Sequence, residues 1–127
     1  MAKIERFEDL VCWQKARGLS NMIYDLTERK TFNKDSGLRL QLQRAAGSVM
    51  HNIAEGFDAG SKPEFIRFLK MSRRSASEIQ SELYQALDRN YITETERQAV
   101  YSLATETKRL INGLIRHLRG KPDANGD

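Results

Sequence analysis

Apolar residues recur along this chain at intervals of three and four. Leu42, Ala45, Ala46, Val49, Ile53 and Phe57 make one stripe, and Phe65, Phe68, Leu69, Ala76, Ile79, Leu83 and Leu87 make the next. Val100, Leu103, Leu110, Ile111, Leu114 and Leu118 repeat the pattern, and Leu10, Trp13, Ala16, Ile23 and Leu26 begin it. The period of two that a half-buried strand needs fails in the two central stretches, so these are amphipathic helices, each with a face to bury.

Capping residues divide the stripes. Ser61-Lys62-Pro63-Glu64 places a serine before a helix, a proline in its first turn and a glutamate three residues on, which is the pattern of a capping box. Thr93-Glu94-Thr95-Glu96 repeats the device after the break at Asn90-Tyr91-Ile92, and Gly120 and Pro122 stop the last stretch. Glu8 and Asp9 precede the first stretch, the turn Thr31 to Ser36 precedes the second, and Gly56 to Gly60 close it. Helices are thus expected over about residues 9–29, 36–57, 62–89 and 94–119, with the tail 120–127 disordered. Short connections make successive helices antiparallel neighbours. The expected fold is all-α, an antiparallel up-down-up-down four-helix bundle in a single domain.

A length of 127 residues supports one hydrophobic core and is too short for two, and 39% hydrophobic content is too high for a disordered chain. The single cysteine, Cys12, cannot close an internal disulfide, and no signal-like apolar run opens the chain, so a cytoplasmic location is expected. No window approaches the roughly 18 apolar residues of a membrane span.

Charge changes the picture more than composition does. The net charge is +4, and it is unevenly spread. Lys62, Arg67, Lys70, Arg73 and Arg74 face only Glu64 in their segment, and Lys108, Arg109, Arg116, Arg119 and Lys121 face no acid at all. Between them, residues 76–107 carry six acids against two arginines. Antiparallel packing places the start of the third helix beside the end of the fourth, so the bundle is expected to be polarised, with a basic pole that the start of the first helix joins. Two readings of that pole stand. Its cations lower the free energy of a polyanion by counterion release, or they complement helix C-termini and acids one turn away, as Arg74 does with Glu78.

Catalytic and metal chemistry find no support. Metal-binding bundles draw on Glu-x-x-His, which does not occur; His51 and Glu55 share a face, but His117 is the one other histidine. Cys12 lacks a neighbouring base and reads as packing near Trp13, and Gly56 and Gly60 lack the Gly-Lys-Ser/Thr ending of a phosphate loop. No enzymatic activity, cofactor or metal is expected.

The run Arg44-Ala45-Ala46-Gly47-Ser48-Val49-Met50-His51-Asn52-Ile53-Ala54-Glu55-Gly56 resembles the signature of the four-helix bundle family encoded in intervening sequences of bacterial 23S ribosomal RNA genes. Phe7-Glu8-Asp9-Leu10 with Trp13-Gln14-Lys15-Ala16 is similar to the family's opening, and Ser61 to Leu69 to its third helix. The resemblance spans about residues 6–118. It implies a ring-like homopentamer and a role in binding nucleic acid, and its relatives include RNA-binding accessory proteins of diversity-generating retroelements. Arg44, Asn52 and Glu55 match the family motif, and their spacing suits a structural network of mutual hydrogen bonds. Independently, Ala45, Ala46, Gly47 and Ser48 permit a close helix approach, in the core or between subunits, and Ile66, Tyr84 and Tyr101 widen the apolar faces toward self-association.

The expected function is therefore non-enzymatic. The candidate RNA- or DNA-binding residues are Lys62, Arg67, Lys70, Arg73, Arg74, Lys108, Arg109, Arg116 and Arg119, contacting phosphates. The alternative is an interaction scaffold that docks a protein partner and binds no nucleic acid.

Overall fold

The computed structural model describes residues 3–120, all of whose regular structure is helical. A 3-10 turn at Phe7–Asp9 leads into α1 (Val11–Thr27), a one-turn α2 (Lys30–Asn33), α3 (Ser36–Phe57), α4 (Lys62–Asp88) and α5 (Glu94–Arg119). The four long helices form a bundle in which α3 packs on α1 and α4, and α5 on α4 and α1. Contacts fix the directions. Ser48 and Val49 of α3 bond to Ser75 and Ser72 of α4, while Gly56 lies against Phe65 and Phe68, so the partners run in opposite senses. The pairs Arg73 with Asn112, Gln80 with Thr105 and Tyr84 with Tyr101 give the same sense for α4 and α5. Lys15 with Glu106 and Arg29 with Glu96 give it for α1 and α5.

The apolar stripes supply the core. Ala16, Ile23, Ala46, Val49, Ile53, Leu69, Ala76, Ile79 and Ile111 are all fully buried. Burial of this kind contributes about 25 cal/mol per Å² of apolar surface and is the main force that joins helices of marginal intrinsic stability.

Local details depart from the sequence pattern at the upper end of α1. The first helix begins at Val11 and ends at Thr27, inside the expected span of 9–29. At its start, the Asp9 carboxylate accepts from the backbone N–H groups of Glu5 and Arg6, both at 3.1 Å, closing a separate 3-10 turn before an extended Leu10. After its end, the segment expected as a plain turn contains α2, whose Phe32 is buried and packs on the Tyr91 ring at 4.9 Å. Asp35 caps α3 by accepting from Leu38 N–H at 3.1 Å, and its other oxygen accepts the Tyr91 hydroxyl at 3.0 Å.

The two capping boxes differ. Thr93 and Glu96 bond reciprocally, at 3.1 and 2.9 Å, as a complete box. Ser61 accepts from Glu64 N–H at 3.3 Å, but the Glu64 carboxylate turns away to Arg67, so the box on α4 is half formed. Gly120, expected to begin the tail, takes the left-handed conformation that ends α5, and residues 121–127 of that tail lie outside the described residues.

Candidate nucleic-acid interface

The register of α4 against α5 decides which cations meet. Arg67, Lys70, Arg73 and Arg74 project from α4, and Lys108 reaches them from α5, around an open groove of about 650 Å³. Met71, Ser77 and Asn112 complete its walls, which hold no carboxylate.

The five cations are not equivalent. Arg67 forms a two-point ion pair with Glu64, both contacts at 3.0 Å, and lies over the Phe68 ring at 4.6 Å. The Glu64 hydrogen bonds raise the Arg67 pKa further, while Arg67 lowers that of Glu64, so this charge is largely offset. Arg73 and Lys108 are held by neutral groups instead. The Arg73 guanidinium donates to the Asn112 side-chain oxygen at 2.6 Å. The Lys108 ammonium donates to the Gln80 carbonyl oxygen at 2.8 Å and to the Ser77 hydroxyl at 3.1 Å. Gln80 is itself buried and fixed, donating to Thr105 Oγ1 at 2.9 Å and to the Tyr101 carbonyl at 3.3 Å. Both cations are thus positioned without being neutralised. Lys70 and Arg74 stand exposed, with no hydrogen bond or ion pair among the described residues.

The remaining candidates lie elsewhere. Lys62 borders a small hollow at the α3–α4 turn with Gly56, Phe57 and Phe65. Arg109 is exposed on α5 away from the groove walls, and Arg116 and Arg119 occupy its last turns. The cationic surface is therefore a groove along the side of the bundle that reaches its middle, more than an end face. Sequence inspection missed Asn112, Gln80 and Ser77, because amides and hydroxyls carry no charge signal and become visible only through the side chains they hold.

The acidic half is quieter than its charge count suggests. Glu94 pairs with Arg97 at 2.6 Å, Glu96 with Arg29, and Glu106 with Lys15 at 3.7 Å. The Arg29 hydrogen bond, helped by Thr93 N–H, lowers the Glu96 carboxyl to about 2. Glu78 and Glu82 border a notch of about 320 Å³ between α3 and α4, together with Arg44, Ser48 and Ser75. One Glu82 oxygen is buried without a partner, and desolvation, with Glu78 nearby, raises this carboxyl to about 7.

The motif residues are dispersed. Asn52 is buried and donates to the Ser48 carbonyl at 2.8 Å and hydroxyl at 2.9 Å, one turn back on its own helix. Ser48 in turn bonds to Ser75 of α4 at 2.8 Å. Arg44 and Glu55 are exposed and make no bond to Asn52. The expected mutual network is replaced by an Asn52-Ser48-Ser75 chain: Arg44 lies eight residues, about 12 Å of helix rise, from Asn52 and borders the α3–α4 notch instead. Cys12 is buried, which pushes its thiol up to about 11 and leaves it protonated at neutral pH.

Fold and site together define a helical bundle protein with an uncompensated cationic groove. The chain matches the family of 23S rRNA-intervening sequence proteins over residues 8–113, and it belongs to that family. A crystal structure of a protein of unknown function from the S23 ribosomal protein family of Bacteroides thetaiotaomicron superposes with a TM-score of 0.77 at 23% identity, covering 84% of this chain and 96% of that one. At that identity the likeness is one of fold. A search of the curated proteins finds none that matches. Among the described residues no helix is long and apolar enough to cross a membrane.

Proposed function

We propose that this chain is a non-enzymatic, cytoplasmic nucleic-acid-binding protein that holds RNA or DNA by its phosphates and works as a homo-oligomer, a pentamer as the family resemblance implies. The observation that carries the reading is the imbalance between the two halves of the bundle. Three carboxylates of the acidic half have basic partners, whereas the α4–α5 groove gathers Lys70, Arg73, Arg74 and Lys108 with no carboxylate on its walls. Like charges brought together repel, and a polyanion that releases its counterions there relieves the repulsion. Contacts of this kind fix position and carry little sequence information.

The test is a salt titration of binding to generic single- and double-stranded RNA and DNA, with light-scattering mass to count subunits. Binding that falls steeply with salt, and that Lys70→Glu with Arg74→Glu abolishes, is the expected result. No binding at low salt by a folded oligomer overturns it.

A scaffold reading has its own support in Tyr84, which is 47% exposed, packs edge-on to Tyr101 at 6.1 Å and carries Arg97 over its ring at 4.9 Å. Such an aromatic and arginine cluster suits a protein interface. Self-association through it makes the oligomer, and docking of another protein makes the scaffold. Binding of a partner protein that is insensitive to salt, without nucleic-acid binding, distinguishes the second.

A further inference from the structure

We infer that the α4–α5 groove takes a single nucleic-acid strand, phosphates inward along its floor, and discriminates against duplex. This rests on the proposed nucleic-acid role and specifies its substrate class.

The groove is a crease along the seam of two packed helices, with cations at two depths. A flexible single strand can lay its phosphates against both depths; a rigid duplex would touch only the outer cations. The groove's charges are layered in a way that makes this difference matter. Arg73 and Lys108 are half-buried and anchored to Asn112 and Gln80, the one on α4 and the other on α5, so they bridge the channel at its floor. Lys70 and Arg74 are exposed and unpartnered on its rim. A strand in the channel meets both layers, whereas a duplex on the rim leaves the floor cations without phosphates. Fixing the floor cations with neutral amides lowers the side-chain entropy that binding must remove and keeps their charge available.

A tolerance of sequence follows from the same lining. Its one large apolar group is Met71, 37% exposed, and the nearby Phe68 ring is already covered by Arg67. No free aromatic face lines the channel for a base to stack on, so the bases point outward and the backbone supplies the contacts. With four uncompensated cations, the log-log salt slope for a single strand should be about −3, from roughly −0.7 for each phosphate neutralised.

The experiment compares a labelled oligouridylate with the same oligomer paired to oligoadenylate, by fluorescence anisotropy on the full chain. It uses wild type, the floor variant Arg73→Gln/Lys108→Gln and the rim variant Lys70→Gln/Arg74→Gln, with circular dichroism and mass confirming that each is folded and assembled. Expected are at least tenfold tighter binding of the single strand and loss of that preference in the floor variant, while the rim variant weakens both ligands. Equal or tighter duplex binding that the rim variant still removes overturns the strand inference and leaves the broader role standing. Displacement of the strand by tripolyphosphate at equal phosphate concentration overturns it too, since the groove is then a compact anion site. Binding of neither oligomer overturns both readings.

Discussion

Gly56 shows how one residue sets the approach of two helices. A Cβ there would lie 2.8 Å from Phe68 Cβ and 2.9 Å from the Phe65 ring, so α3 and α4 come together as closely as they do because hydrogen occupies that place. Gly56→Ala is expected to destabilise the fold by about 1–3 kcal/mol, the usual cost of overpacking, as a lower urea midpoint with an unchanged slope. From sequence, Gly56 reads as part of a helix stop and Gly47 as a point of close helix approach; the structure reverses them, since Gly47 meets only its own helix's His51 at 3.6 Å. Glu82 is the other residue whose effect is local. Its carboxyl is raised from 4.5 to about 7, so the stability it contributes is fully present below pH 4.5 and is lost as pH rises through about 7. Glu82→Gln should match wild type near pH 4 and exceed it by roughly 1 kcal/mol at pH 8.5, the full shift being reduced by solvent screening. Equal stability at both pH values would show that the buried oxygen finds a partner in solution.

Helix ends carry much of what the chain states outright. Thr93, Glu96 and the 3-residue spacing between them were readable from sequence, and both bonds of the box form. Thr93→Ala is expected to cost about 1 kcal/mol in thermal or denaturant unfolding. Asp35 is a different case, because its cap on α3 is local whereas its bond to Tyr91 spans 56 residues. Asp35→Ala should therefore cost more than Thr93→Ala, and Tyr91→Phe should reproduce only the second part of the loss. Tyr91 also covers Phe32 of α2, the element that no stripe announced, since one turn is too short to show a period. Its burial makes sense of a phenylalanine in an otherwise polar turn. At this same C-terminal end of α4, Asn90 holds a left-handed φ of 63°, with Tyr91 N–H reaching back to the Ala86 carbonyl at 3.0 Å, and the helix stops there.

On the scale of the molecule, the charges of the groove favour a ligand and oppose the fold. Lys70, Arg73, Arg74 and Lys108 repel one another across the same channel, and Glu64 offsets only Arg67. Replacing Lys70 and Arg74 by glutamine should raise the melting temperature by about 1–3 °C at low salt while weakening nucleic-acid binding. The gain should disappear in 1 M salt, where the screening length is about 3 Å. A variant that lost binding without gaining stability would mean that the cations are already offset by solvent ions. The acidic half predicts the converse: three of its carboxylates pair with Arg29, Arg97 and Lys15, so removing Arg29 should destabilise the junction of α1 and α5 without touching the groove.

The four long helices, the box at Thr93 and most of the core were determined by the sequence itself, because periodicity and capping are relations between residues three or four apart on one helix. Arg67, Lys70 and Arg74 were visible as a basic cluster for the same reason, whereas Glu64, which reads from sequence as a capping residue, offsets Arg67 instead. Tertiary structure alone decided that Lys108 joins that face while Arg109 does not, that Asn112 and Gln80 hold the floor cations, and that Asn52 bonds to Ser48 instead of Arg44 or Glu55. Contacts between helices depend on axial register and on rotation about each axis. An apolar stripe fixes which broad face turns inward, but a shift of one residue rotates a side chain by about 100° and carries it from a groove to open solvent.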